Sequence, residues 1–297
     1  MSIIKENISF IIVTFKSDTV IDKCIESIGP NFPIIVVENS NDKNFKEKIE
    51  KKYSNVKCYL SEQNLGMGAG NNLGLYFCKT DFAFILNPDA FLYEDTIDKM
   101  IESSSRLESF AILAPICSDS NYPNYKQETK EKRISEFNKE LTVKSVDGFA
   151  MLFNIPKIKE TLNQNSVNFF DENIFMYLEN DDLCKRLTKK EKNIYVSTIA
   201  KIDHLGAKGS NEVYKNEIEL SRNWHWIWSK YYYNKKHNGF LIATLNGLPS
   251  FFSSIIKFLF YSMINKDFKK KVYKNRCLGF INSLLNKPST YRPEIHD

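Results

Sequence analysis

Apolar and polar positions alternate in blocks along the first 120 residues. The run ISFIIVTF at 8–15 is continuously apolar and β-branched, as a strand covered on both faces requires. Val20, Ile21, Cys24, Ile25 and Ile28 then recur at helical spacing, and Gly29 with Pro30 predicts the stop. The exchange repeats, with strands at 33–39, 56–60, 81–87 and 110–116. Between them lie predicted helices at 44–53, from Met67 to Cys78, and at 94–107. Alternation at this spacing predicts βαβ units with right-handed crossovers and a mostly parallel sheet.

From 118 to 140 the chain turns polar, which reads as a surface excursion or a flexible loop over a site. Strand character returns in VDGFAMLFN (146–154), followed by a predicted helix at 156–163. The acidic cluster at 179–182 opens a helix through Arg186, and 193–197 reads as a short strand. A helical stretch from 212 to 234 carries Trp224, Trp226, Trp228 and Tyr231 to Tyr233, which suit packing or an interface. FFSSIIKFLFYSMI (251–264) is apolar for 14 residues. That is short of the roughly 20 needed to span a bilayer. Upstream of it, Asn246, Gly247 and Pro249 argue against one spanning helix. The expected division is an α/β domain over 1–210 and a helical, basic region over 211–297.

Charge sharpens that division. From Lys230 onward there are 12 Lys/Arg against 3 Asp/Glu, so a body of net −4 carries a tail of +9. Six cations between Lys266 and Arg276 follow the apolar run. An apolar segment beside cations suits the headgroup boundary of an anionic leaflet. A hydrophobic content of 42% supports a packed core and excludes wholesale disorder. No helix-turn-helix, zinc or aromatic RNA-binding signature is present, so nucleic acid is not expected as a partner. The six cysteines lie far apart with no CxxC pair, as free thiols of a reducing compartment would. MSIIKENISF lacks the features of a signal peptide. The expected location is the cytoplasm, with peripheral contact at the inner face of the membrane.

Five places could carry chemistry. Asp89 follows a strand that Pro88 ends, where a carboxylate can hold Mg²⁺ or Mn²⁺; Asn-Pro-Asp is equally a turn sequence. NLGMGAGNNLG (64–74) places Gly66, Gly68, Gly70 and Gly74 where a loop becomes a helix. Those glycines allow close backbone approach to an anion or tight helix–sheet packing. Glu179, Asn180, Asp181 and Asp182 could supply a general base, or cap a helix. His204 could complete a metal site or be structural, and Glu38 ends the second strand, where a nucleoside would lie.

In this order the segments resemble the family-2 glycosyltransferases, and within them the bacterial rhamnosyltransferase-like branch. FIIVTFKS and IIVVENSND resemble the family's first two strands, NLGMGAGNNLG its glycine loop, and LNPDA its metal motif. VDGFAMLFN resembles its acceptor-side strand, YLENDDLCKRL its base motif, and HLGAKGS its late histidine element. The resemblance implies a GT-A-like, Rossmann-related α/β fold with a C-terminal helical appendage. It implies donor contacts at Thr14, Glu38, Asn64, Gly66, Gly70, Asn71 and Asn87, and a Mg²⁺ or Mn²⁺ ion at Asp89 and His204. The base would be Glu179, favoured by position, or Asp181 or Asp182. The implied reaction transfers a sugar, rhamnose included, from a nucleotide-diphosphate donor with inversion. The acceptor would be a hydroxyl of a cell-surface polysaccharide or lipid-linked glycan. Two positions depart from the family: Asn87 stands where wider relatives have the first metal-motif Asp, and Asn180 where the catalytic Asp is usual. Asn180 keeps open a rival reading, a catalytically weak nucleotide-sugar or polysaccharide-binding subunit. A sugar-phosphate nucleotidyltransferase needs a basic glycine-rich loop after the first strand, and FKSDTVIDK has no glycine.

Overall fold

The structure, a computed structural model, describes residues 3–127, 140–206, 209 and 211–293. Most of the polar excursion (128–139) and part of HLGAKGS (207, 208 and 210) therefore lie outside the described residues. The chain divides into two units, Met1–Asp171 with Asn180–Asn211, and Glu172–Glu179 with Glu212–Asp297.

In the first unit the apolar runs become strands β1 (Ile8–Thr14), β2 (Ile34–Glu38), β3 (Val56–Leu60) and β4 (Phe82–Leu86). Further along come β5 (Ala90–Leu92), β6 (Ile112–Cys117), β7 (Tyr125–Lys126), β8 (Glu140–Thr142), β9 (Ser145–Val146), β10 (Ala150–Asn154) and β11 (Ile194–His204). The main sheet runs β3-β2-β1-β4-β10-β6-β11-β5, with β8 on β11. The pairs β3/β2, β2/β1, β1/β4 and β6/β11 are parallel, whereas β10 runs against both its neighbours. Ala150 at the start of β10 faces Leu86 at the end of β4. The ends of β1, β2, β4, β6 and β11 and the beginning of β10 thus share one edge.

Helices α1 (Ile21–Ile28), α2 (Lys43–Lys52) and α4 (Thr96–Ser105) cover one face, packing on Phe10, Ile12, Phe84 and Leu86. Helices α3 (Gly66–Phe77), α5 (Ile155–Leu162) and α6 (Glu179–Thr188) supply Leu75, Ile158, Leu183 and Leu187 to the other, against Ile11, Ile85 and Met151. Every residue of β1 and β4 is buried, which is why both strands read as unbroken apolar runs.

Two expectations need correction. VDGFAMLFN is not one strand: Asp147, Gly148 and Phe149 separate β9, which pairs with β7 outside the main sheet, from β10. The Asp-Gly pair is a turn dipeptide that interrupts the ladder. Asn246, Gly247 and Pro249 do not break the tail either. After α7 (Lys215–Asn238), Phe240–Met263 forms one 24-residue helix, α8, with Pro249 inside it. Pro249 lies on the exposed side, where water can satisfy the carbonyl its ring leaves unbonded. At Gly247 an added Cβ would come within 2.5 Å of Phe280, so glycine is required there by helix contact.

The second unit joins α7, α8 and α9 (Asp267–Leu284) around Ile227, Tyr231, Ala243 and Phe280. Trp224 and Trp228 are buried and stack at 6.3 Å, while Trp226 faces outward. The segment 172–179 joins this unit through Ser229 Oγ, which donates to the Met176 carbonyl at 2.7 Å. The cysteines are free, as expected, and burial pushes the Cys58 and Cys184 thiols up to about 12.

Candidate active site

The shared strand edge gathers several of the chemistry-bearing side chains. Asp89 leaves β4 just before β5, and its side chain is 4% exposed. His204 ends β11 opposite Ala90, so the pairing of β5 with β11 sets its imidazole beside that carboxylate. The His204 Nε2 to Asp89 Oδ1 distance is 3.4 Å. Phe149 stacks flat on His204, at 4.1 Å and 10°. Gly209 passes close above: an added Cβ would lie 3.6 Å from the Asp89 carboxyl carbon.

Asp89 and His204 therefore meet, and among the described residues no group of three His, Cys, Asp or Glu side chains does so. One buried carboxylate and one imidazole fit a Mg²⁺ or Mn²⁺ ion that takes its other ligands from phosphate and water. Bound there, such an ion would offset negative charge on a diphosphate.

The positions expected to meet the donor hold different local roles. Thr14 Oγ1 is buried and 3.4 Å from the Val37 carbonyl. The Glu38 carboxylate folds back, accepting from Ser40 N, Ser40 Oγ and Asp42 N at 2.5–3.0 Å, and so organises its own loop. Asn64 accepts from Gly66 N at 3.0 Å, and the φ of +80° at Gly66 favours glycine there. Gly70 and Gly74 serve packing: side chains there would meet Val13 and Ile11 of β1. Asn71 is buried in α3, and its neighbour Asn72 both donates to and accepts from the Phe170 backbone at 3.0 Å. Asn87 N donates to the Phe149 carbonyl at 2.9 Å, tying the end of β4 to the turn before β10.

The acidic cluster is split. Glu179 groups with the second unit and Asn180, Asp181 and Asp182 with the first. Tyr177 and Leu178 immediately before it both have φ of +69°, strain of the kind found at functional sites. Both Asp181 oxygens accept from Lys126 Nζ at 2.7 Å. Asp182 is fully buried and accepts from Arg186 Nε at 2.8 Å. Asn180 Nδ2 donates to the Val146 carbonyl at 2.7 Å.

Asp147, which sequence reasoning did not single out, lies among these groups. Burial raises its pKa and Asp181 raises it further, while Lys126 and His204 pull it down. A carboxyl group so perturbed at a strand edge marks a candidate site. Its one sequence signal was the Asp-Gly dipeptide; Lys126 lay in a polar stretch with no pattern.

An open, mostly parallel α/β sheet places ligands at its carboxyl edge, where the buried Asp89 carboxylate lies. Residues 9–163 match the profile of glycosyl transferase family 2, and the chain belongs to that family. Among curated proteins it is 23% identical over 205 residues to the low-salt glycan biosynthesis hexosyltransferase Agl10 of Haloferax volcanii. That match covers 64% of each chain, so this chain spans less than two thirds of the relative. Among solved structures it resembles Staphylococcus aureus TarS 1–349 (TM-score 0.52, 15% identity, 94% of this chain and 92% of that one). It also resembles GalNAc-T7 solved with UDP, GalNAc and Mn²⁺ (TM-score 0.54, 14% identity, 77% of this chain and 50% of that one). The fold is thus the GT-A glycosyltransferase fold with added C-terminal helices.

Proposed function

We propose that this protein transfers a hexosyl residue from a nucleotide-diphosphate sugar to a hydroxyl group, with inversion, in the assembly of a polysaccharide or lipid-linked glycan. The observation that carries the reading is the buried Asp89 carboxylate 3.4 Å from His204, at the carboxyl edge of the sheet of a family-2 chain. Asp89 and His204 would hold Mg²⁺ or Mn²⁺ against the diphosphate, a use supported by the Mn²⁺ in the GalNAc-T7 structure. The edge beside Thr14, Asn64 and Asn87 would receive the nucleoside and sugar. The order of motifs from FIIVTFKS to HLGAKGS supports the rhamnosyltransferase-like branch.

A lipid-linked acceptor agrees with the second unit. Helix α8 is long and apolar enough to cross a membrane, by length and composition. Leu241, Leu245, Phe252, Ile256, Leu259 and Met263 are exposed along it, and Ala243 and Ser254 are buried on its packed side. Lys257 falls within the exposed face and Lys266 to Lys274 follow it. A helix packed on one side, apolar on the other and flanked by cations suits an anionic membrane surface. The test of the transfer reading is release of nucleoside diphosphate from a donor sugar by the wild type and by Asp89→Asn. Asn180, an amide that accepts no proton, favours one second reading, a donor-binding subunit without turnover. The same assay separates the two.

A further inference from the structure

We infer that Asp147 is the general base of this site, taking the proton of the acceptor hydroxyl as that oxygen attacks the sugar. The inference rests on the glycosyltransferase reading above.

The geometry comes first. The turn that carries Asp147 is held residue by residue. Asn180 Nδ2 donates to the Val146 carbonyl at 2.7 Å, and Asp147 N donates to the Asn124 carbonyl at 2.8 Å. Asn124 is itself fully buried, donating to the Pro115 carbonyl and accepting from Cys117 N, both at 2.9 Å. Gly148 lies against Asn180, where an added Cβ would come within 3.4 Å of the Asn180 side chain. Phe149 accepts from Asn87 N and stacks on His204. Asp147 is thus fixed on the same turn as the residue that covers His204, beside the end of β4.

The other first-unit carboxylates at this edge are engaged. Asp89 faces His204, both Asp181 oxygens hold Lys126, and Asp182 is closed off on Arg186. Asn180 accepts no proton, and what it does instead is brace the Asp147 turn. The charged groups acting on Asp147 are Lys126, Asp181 and His204, and burial with Asp181 moves its proton affinity toward neutrality. That is the direction a general base requires. In the step, the acceptor O–H proton passes to an Asp147 oxygen and the acceptor oxygen bonds to the anomeric carbon. The anomeric carbon–oxygen bond to the diphosphate breaks, with its electron pair leaving on the diphosphate.

The test uses the full chain with Mn²⁺ and a panel of UDP-, GDP- and dTDP-sugars, with water as the acceptor hydroxyl and short-chain alcohols added in parallel, reading nucleoside diphosphate release, with UDP, GDP and dTDP binding followed by thermal shift. Asp147→Asn and Asp147→Ala are expected to lose at least ~100-fold in kcat and to bind nucleotide as the wild type does. Azide, an anionic nucleophile that needs no deprotonation, is expected to restore turnover in Asp147→Ala. Glu179→Gln is expected to lose less than Asp147→Asn. Turnover of Asp147→Asn within threefold of the wild type overturns the inference. So does a loss confined to nucleotide affinity, a loss that azide leaves unrestored, or a larger loss in Glu179→Gln. If the wild type itself turns over no donor, the transferase reading fails and the base assignment falls with it.

Discussion

His225 carries its proton on one nitrogen. Nε2 lies 2.8 Å from the Tyr291 carbonyl, which can only accept, so Nδ1 is left to accept from Ser289 Oγ at 2.9 Å. Burial pushes the pKa down from 6.5 to about 3, Arg292 adding to the shift and the Tyr291 carbonyl opposing it. Because the folded pKa lies below the unfolded one, the stabilisation is complete above pH 6.5 and is lost as pH falls toward 3. Between pH 6.5 and about 5 the loss is roughly 2 kcal/mol. Thermal melts followed by tryptophan fluorescence are expected to show the second unit weakening over that window, and His225→Gln to flatten the dependence. A wild-type melt unchanged down to pH 5 would contradict it. At this scale Asp89 and His204 stood out in the sequence as candidates, one at a strand end with a proline and the other a lone histidine ahead of a glycine, and the structure sets them 3.4 Å apart. Asp147 did not: the three residues between β9 and β10 look like strand inside an apolar run until the pairing partners of Val146 and Ala150 are known.

The elements of the first unit were legible because their packing repeats the rule that wrote them. Strands buried on both faces must be apolar throughout, and Ile21, Cys24, Ile25 and Ile28 can bury together only on a helix. Helix α8 was misjudged because breakers act through backbone bonds, and an exposed Pro249 loses its bond to water rather than to the core. The role of glycine in the helical unit also needed three dimensions. Gly279 of α9 sits on the Trp224 backbone of α7, where an added Cβ would press into the Trp224 carbonyl oxygen. A carbonyl cannot rotate aside as a side chain can, so Gly279→Ala is expected to destabilise this unit by about 1–3 kcal/mol. Denaturant unfolding measures it, and an unchanged midpoint would mean that α7 and α9 do not approach so closely.

On the scale of the whole molecule, the sequence carried the contrast between an acidic α/β body and a basic helical tail, each with its own expected task. Pelleting with phosphatidylglycerol vesicles tests the tail: the full chain is expected to sediment at low salt and to be released as salt rises, each near-surface cation contributing about 1 kcal/mol. Ile256→Glu with Leu259→Glu, both on the exposed face of α8, is expected to leave the protein in the supernatant. Sedimentation that ignores these changes would assign that face another purpose. The central claim, sugar transfer at the Asp89 edge, is tested most directly by nucleoside diphosphate release from a panel of nucleotide sugars with Mn²⁺. The account predicts that at least one donor is turned over by the wild type, and that Asp89→Asn, with an unchanged melting temperature, loses at least ~100-fold. A wild type that binds a donor without turning it over, or an Asp89→Asn variant that keeps most of its rate, would contradict it.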